Sequence, residues 1–174
     1  VAIGNLAGYS HQGATSVAVG YAAGYCGQGT LAVAIGSSSG NSSQGTSAVA
    51  IGLNSGYTSQ GASSIAIGAS SGFSDQGGSA VAVGNTAGLS SQGATAVAVG
   101  YAAGYCAQGA NAIAIGGSAG YQSQANNSIV ISAMGSIVNN TTANSCIIQP
   151  VRNVANANYL LYDSATGEVT YNTT

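Results

Sequence analysis

The sequence predicts an all-β fold, a parallel β-roll or β-solenoid built from eight turns of sixteen residues each. Three observations lead to this prediction: a sixteen-residue period, an apolar alternation opening every period, and glycines at fixed places within it. Nearly the same phrase occurs as VAVGYAAGYCGQG at 17–29 and VAVGYAAGYCAQG at 97–109, five periods apart. A fixed period below about twenty residues is typical of a solenoid, because such a unit gains a core only by stacking on its neighbours.

The opening residues of each turn predict its first strand. The first and third positions are Val or Ile and the second is always Ala, so the two kinds of side chain lie on opposite sides of a strand. We expect the Val and Ile side chains to face the interior as a core ladder. The ladder consists of Val1, Ile3, Val17, Val19, Val33, Ile35, Val49, Ile51, Ile65, Ile67, Val81, Val83, Val97, Val99, Ile113 and Ile115.

The Ala side of the same strand is predicted to lie between chains. A strand face made only of Ala is too apolar and too regular for solvent, and it is small enough for another chain to approach closely. Burial in a homotrimer, intertwined or side by side, would also protect a flat β surface from aggregation. The predicted inter-chain face consists of Ala2, Ala18, Ala34, Ala50, Ala66, Ala82, Ala98 and Ala114.

The rest of each turn predicts two corners and a second strand around G-Y-x-x-Q-G. Recurring Gly disfavours a helix by about 1 kcal/mol per residue, whereas at positions four and eight it supplies the positive backbone angles of tight corners. Turns stacked about 4.8 Å apart align the position-nine aromatics in a row and the position-twelve amides in a ladder, although direct ligand binding by these amides stays an alternative. The predicted Gln ladder is Gln12, Gln28, Gln44, Gln60, Gln76, Gln92, Gln108 and Gln124.

Charged residues are nearly absent, which excludes several functional classes. Nucleic-acid binding requires Lys and Arg, and Arg152 is the single basic side chain of that kind in 174 residues. His11, Asp75, Asp163 and Glu168 are scattered, whereas acid–base catalysis and metal binding need clustered groups. We therefore predict no enzyme, no catalytic or metal site, no cofactor and no nucleic-acid partner. No apolar run approaches the roughly 20 residues of a membrane helix, so we predict no membrane insertion.

Three cysteines are present. Cys26 and Cys106 occupy the same position of turns two and seven, and about 24 Å of stacked turns separates them, too far for a disulfide within one chain. Free thiols that pack as small residues and thiols that meet between chains are both open interpretations. Cys146 lies outside the repeats.

The sixteen-residue register fails after Ser128, which predicts two regions. The repeat β-roll spans 1–128, and a C-terminal β-rich capping and trimerisation segment spans 129–174. Within the latter, LLYDSATGEVTY at 160–171 predicts two strands around a turn containing Asp163 and Gly167. Two interpretations of Arg152 stay open: it pairs with Asp163 or Glu168, or it is a solvated surface charge. Because the chain opens inside a repeat with Val1, we interpret it as a fragment or processed product.

The repeats also resemble known families. SVAVG at 16–20, AVAIG at 48–52 and SIAIG at 64–68 resemble the head repeats of trimeric autotransporter adhesins, which implies a left-handed parallel β-roll wound as a trimer. The longer phrase AIG-x-x-A/S-G-Y-x-x-Q-G is similar to arrays in fibre proteins of phages and large DNA viruses. In those arrays, segments similar to NNSIVISAMGS at 126–136, IIQPVRN at 147–153 and the 160–171 stretch follow the repeats.

This resemblance implies a structural fibre protein, the trimeric rod or head of a viral or phage fibre involved in host attachment. It would lie on a virion surface, or be extracellular or on a cell surface. The expected partners are further copies of the chain and a host cell-surface receptor or glycan. Alternatives are a self-assembling surface filament, a bacterial-type adhesin head and an ice-binding β-solenoid. The sequence assigns no pocket, and we expect receptor contact on polar ridges at variable positions such as Asn5, Tyr21, Ser37, Leu53, Ala69, Asn85, Tyr101 and Gly117.

Overall fold

The computed structural model describes residues 1–151, 160–163 and 165–171. Over these residues the protein is an all-β parallel β-solenoid of about nine turns spaced sixteen residues apart. The fold and the spacing are as the sequence predicts, whereas the predicted number of turns was eight. No helix occurs in the described ranges, and hence none that is long and apolar enough to cross a membrane.

The opening residues of successive turns form one long parallel sheet, called sheet A. Its neighbouring strands pair in the register of the repeat, for example Val81 with Val97 and Ala82 with Ala98. Strands are numbered in chain order over the whole molecule. Sheet A contains ten strands: β1 (Ala2–Ile3), β2 (Val17–Val19), β4 (Val33–Ile35), β6 (Val49–Ile51), β8 (Ile65–Ile67), β10 (Val81–Val83), β12 (Val97–Val99), β14 (Ile113–Ile115), β15 (Ile129–Ser132) and β16 (Cys146–Gln149).

The predicted second strand of each turn forms the opposite wall, called sheet B. It is parallel, and isolated bridges from Ser10 to Cys26 and from Cys106 to Gln122 extend the pairing to the first and eighth turns. Its six strands are β3 (Cys26–Gln28), β5 (Ser42–Gln44), β7 (Thr58–Gln60), β9 (Ser74–Gln76), β11 (Ser90–Gln92) and β13 (Cys106–Gln108). Near the C-terminus, β17 (Leu160–Tyr162) and β18 (Val169–Tyr171) form a separate antiparallel hairpin.

The orientation predicted for sheet A is wrong, although its alternation is right. The Ala residues point into the solenoid and are fully buried within a single chain, so they do not form an inter-chain face; these are Ala18, Ala34, Ala50, Ala66, Ala82, Ala98 and Ala114, while Ala2 is exposed in the first turn. The Val and Ile residues predicted as core point outward and are half-buried or exposed. We call them the Val/Ile face: Val1, Ile3, Val17, Val19, Val33, Ile35, Val49, Ile51, Ile65, Ile67, Val81, Val83, Val97, Val99, Ile113 and Ile115.

The narrowness of the interior explains this reversal. Each buried Gln crosses from sheet B to sheet A, where for example the Gln28 amide nitrogen donates to the Val17 carbonyl over 2.7 Å. Once that amide lies between the walls, only methyl-sized side chains fit beside it. Positions seven and sixteen are accordingly Ala or Ser, and from Ser16 and Ala23 onward those in the repeats are buried.

The stacked wall continues beyond Ser128 for part of the C-terminal region. Ile129 pairs with Ile113 in the repeat register, and β16 then stacks on β15. In this turn Val130 replaces the buried Ala, and the buried Asn140 donates to the Ile129 carbonyl at 3.4 Å as a Gln does elsewhere. A larger aliphatic side chain thus accompanies a shorter amide, so the interior stays filled. The capping and trimerisation roles of this region stay predictions.

The corners depend on glycine where turns lie closest. Gly84 has φ +129°, and a Cβ there would lie 2.5 Å from the Gly100 carbonyl oxygen of the next turn. The same closeness governs position thirteen, where a Cβ on Gly77 would lie 2.5 Å from the Ala94 nitrogen. Gly at this position gives way to Ala125 in the eighth turn, where the Ala125 nitrogen donates to the Asn140 carbonyl. The turn that contains Asn140 departs from the sixteen-residue spacing, because Ile129 pairs with Cys146.

Candidate functional site

The outer surface of sheet A is the largest candidate for binding another molecule. On the Val/Ile face of turns two to eight, Ile35, Ile67 and Ile115 are 38–39% exposed and the others are half-buried. The apolar row continues through Ile131, which is 39% exposed, to Ile148 at 53%. Parallel sheets usually have both faces covered, and here the solenoid interior covers only one.

The outer surface of sheet B is polar by contrast. Its outward residues at position ten include Ser42, Thr58 and Ser74, which are half-buried. Position eleven is exposed in most turns and adopts left-handed backbone angles, as at Ser43 with φ +56° and Asp75 with φ +54°. The two sheets therefore give the solenoid one apolar side and one polar side.

From the second turn onward the repeat Gln side chains are buried in the interior, whereas Gln12 in the first turn is half-buried. Gln76, Gln92 and Gln108 each donate to the amide oxygen of the next Gln over 3.1–3.2 Å, the last acceptor being Gln124. Each also donates to a sheet A carbonyl, as Gln76 does to Ile65 at 2.8 Å. These four residues are 2% exposed, so a ligand outside the solenoid cannot reach their amides.

Aromatic side chains stack along one corner, as predicted. The ring centroids are 5.0 Å apart for Tyr9 and Tyr25, 4.9 Å for Tyr57 and Phe73, and 4.7 Å for Tyr105 and Tyr121, with nearly parallel planes. We call the position-nine side chains the aromatic row. Asn41 and Leu89 interrupt it.

The interruption at Asn41 coincides with a surface cavity of about 340 Å³. Tyr25 and Tyr57 line it from the turns on either side of Asn41, and Leu6, Tyr21, Ala22 and Ser38 complete the lining. The Asn41 amide nitrogen donates to the Ala22 carbonyl at 3.3 Å. The cavity combines aromatic walls with neutral polar groups, as small-molecule sites commonly do.

The predicted receptor positions are only partly prominent. Tyr21, Leu53 and Tyr101 are 54–67% exposed, and Asn5 and Asn85 are exposed as well. The remaining three, Ser37, Ala69 and Gly117, are half-buried. Tyr21 reaches the cavity beside Asn41, which links this ridge to the aromatic row.

The ionisable and thiol groups do not converge. Within the described ranges no three His, Cys, Asp or Glu side chains lie where they could hold a metal ion, and Cys26, Cys106 and Cys146 are free thiols. Arg152 lies outside the described residues, so its predicted pairing with Asp163 or Glu168 stays a prediction.

The C-terminal hairpin forms the turn that the sequence predicts. The Asp163 carbonyl accepts from the Gly167 nitrogen at 2.7 Å, and Gly167 has φ +74°. The Ala165 nitrogen donates to the Asp163 carboxylate at 2.8 Å. This bond and one from the Thr166 hydroxyl hold the pKa of that carboxyl below its ordinary value of 3.8. Hydrogen bonds to the charged form favour ionisation, which explains the direction.

A second cavity, of about 570 Å³, lies beside this hairpin. Its lining includes Ile129 and Cys146 from the solenoid and Tyr162 and Val169 from the hairpin. None of the described residues that line it is charged.

Comparisons with known proteins identify no relative: no family model, no curated protein and no solved structure matches this chain.

The sequence contains a signal for each of two features that it was not used to predict: the inward direction of the Ala side of sheet A and the cavity at Asn41. Positions two, seven and sixteen hold only Ala or Ser through all eight repeats, which marks them as the tightly packed side. The cavity could have been located from Asn41, a small polar residue at a position otherwise occupied by Tyr, Phe or Leu.

Proposed function

We propose that the protein is a structural fibre protein that associates as a parallel homotrimer through the Val/Ile face. One observation carries the proposal: an apolar row runs along ten strands of a parallel sheet, and no layer formed by the described residues covers it. Closed cyclic association around an axis parallel to the solenoid would cover this row along its whole length. Position-one side chains of one copy would then meet position-three side chains of the next.

The resemblance of the repeats to trimeric adhesin heads and to viral and phage fibres supports three copies and a role in host attachment. Under this proposal the molecule is a stiff section of a fibre on a virion or cell surface. The polar sheet B and the corners would face outward, where a host receptor or glycan can be contacted.

The test is the native molar mass measured by light scattering at several concentrations. We expect three times the chain mass of 16.6 kDa. A stable monomer would contradict the proposal, and particles far larger than a trimer would support a self-assembling filament instead. A monomer that also showed thermal hysteresis in a freezing assay would support the ice-binding alternative.

A pair of variants assigns the interface. Val83→Asp places a carboxylate on the Val/Ile face, and three copies would bring three like charges to one axis. We expect it to be monomeric at concentrations where the wild type is trimeric. Ser91→Asp is the control, because it lies on sheet B at the position that Asp75 already occupies in another turn. It should remain trimeric, and circular dichroism should show a β spectrum for both variants. A trimeric Val83→Asp would place the interface elsewhere.

A further inference from the structure

We propose that the cavity at Asn41 is a binding slot for an uncharged six-membered sugar ring of a surface glycan, inserted between Tyr25 and Tyr57. This inference deepens the proposed attachment function by naming its ligand class and contact site, and it rests on that function for its biological role. The slot's own chemistry, however, is testable on the isolated protein.

The spacing of the aromatic row carries the first step. Elsewhere in the row, adjacent rings stack with centroids 4.7–5.0 Å apart. Tyr25 and Tyr57 are two turns apart, and two turns span about 10 Å. A ring placed midway would therefore lie about 5 Å from each wall, at the separation of the stacked pairs. The slot has the dimensions of one missing aromatic side chain.

The position of the Asn41 side chain keeps this space accessible. Its amide nitrogen donates to the Ala22 carbonyl of the preceding turn at 3.3 Å, which holds the side chain against the backbone. The cavity volume of about 340 Å³ lies within the range of small-molecule sites. Leu89 interrupts the same row between Phe73 and Tyr105 but carries a branched apolar side chain.

The lining chemistry favours a sugar over a charged ligand. None of the seven lining residues is charged, so a charged ligand finds no ion-pair partner there. The C–H hydrogens on the faces of a pyranose ring are partially positive and match the negative faces of aromatic rings. Its hydroxyl groups would meet the Asn41 amide, the Ser38 hydroxyl and the phenol of Tyr21, which all belong to the lining.

The slot remains available in the proposed trimer. All seven lining residues come from positions five, six and nine of the repeat, at the corner between the two sheets. None belongs to the Val/Ile face. Ligand binding and trimer formation therefore use separate surfaces, and one can fail experimentally without the other.

The test titrates the full chain, followed by NMR, with methyl glycosides of glucose, galactose, mannose, N-acetylglucosamine and N-acetylgalactosamine. p-Cresol serves as an aromatic probe. For at least one glycoside we expect a dissociation constant on the order of 1 mM, as is typical for one small ring in an open site. The Tyr25 and Tyr57 ring signals and the Asn41 side-chain amide should shift.

Two matched variants decide the assignment. Asn41→Tyr completes the aromatic row and fills the slot, and it should weaken glycoside binding at least tenfold while preserving the β spectrum. Leu89→Tyr completes the other interruption and should leave binding unchanged. The sugar assignment is overturned if no glycoside binds, if binding is the same in Asn41→Tyr, or if p-cresol alone binds in a manner sensitive to that change. None of these outcomes alters the light-scattering mass that tests the fibre proposal.

Discussion

Inside the solenoid the side chains are small or are amides and hardly change from turn to turn, whereas outside the same turns carry Val, Ile, Tyr, Ser and Asn in changing combinations. The inside is built from Ala and Ser at three positions and Gln at a fourth, and the full turns bury them almost completely. Outside, position five accepts residues from Gly117 to Tyr101. The contrast shows that packing between the two sheets constrains which residues occur at the interior positions, whereas residue identity at the outer positions can vary and can suit a binding partner.

The largest effect should come from enlarging an interior Ala. Ala66 is fully buried, and Ala66→Leu forces three carbons into a space bounded by two hydrogen-bonded walls. We expect a loss of about 3 kcal/mol or more in unfolding free energy, at the upper end for overpacked cores. Ala69→Leu, three residues away, is the control, because Leu53 occupies that position in the previous turn. Urea denaturation of both should separate them; equal stability would contradict the narrow interior.

Two adjacent glycines at a corner allow the same comparison between a tightly packed position and an open one. Gly77→Ala would place a Cβ 2.5 Å from the Ala94 nitrogen, whereas at Gly78 the nearest atom is the Ala62 carbonyl oxygen at 3.6 Å. We expect Gly77→Ala to destabilise by about 2 kcal/mol through forced separation of the turns. Gly78→Ala should be neutral or stabilise by up to about 1 kcal/mol, since it restricts the unfolded chain without a clash. Thermal denaturation compares them, and the reverse order would refute the close stacking of turns.

Removing one rung of the Gln ladder should have an effect of similar or smaller size. Gln76→Ala eliminates the amide that donates to Ile65 and to Gln92, and it leaves a void between the sheets. We expect a loss of about 2 kcal/mol, since a buried partner is left without its donor. Gln122→Ala is the control because that side chain is exposed. Chemical denaturation should show almost no change for the control. A similar loss in both would mean that burial of the amide is unimportant.

We expect the smallest effect from protonating the exposed Asp163 carboxylate in the hairpin turn. Because the pKa of Asp163 is lowered in the folded turn, its carboxylate stabilises the turn above the ordinary pKa, and this contribution is lost as pH falls through the folded value. Hydrogen exchange at Ala165 should therefore show less protection, relative to the intrinsic rate, at about pH 2 than at pH 7. Asp163→Asn should remove this pH dependence. Protection that is independent of pH in the wild type would show that the carboxylate does not stabilise the turn.

Much of the fold follows from periodicity alone. The sixteen-residue repeat predicts the parallel stacking, the alternation predicts the sheet A strand, and Gly84 illustrates a corner that requires a positive backbone angle. The stacked pair of Tyr105 and Tyr121 follows because identical positions lie one turn apart.

The direction in which each face points did not follow from the alternation. A period of two separates Ala66 from Ile65 and Ile67 but is symmetric between inside and outside. The deciding quantity is the distance between the walls, which depends on Gln76 reaching across to the Ile65 carbonyl. Hydrophobicity favoured the larger residues for the interior, whereas packing volume excluded them. The Asn41 slot was missed for a related reason, since a cavity is produced by an absent side chain between two present ones.

The near-identity of distant turns has a genetic consequence. Residues 17–26 and 97–106 read VAVGYAAGYC without a difference, and each stretch occupies the same place in its turn. In-frame recombination between their coding segments would delete five complete turns and join the flanking turns in the register they already use. The molecule would shorten by about 24 Å while most remaining residues kept equivalent neighbours. The repeat number is therefore an adjustable measure of how far the molecule extends, and it can change in a single event without redesign of the fold.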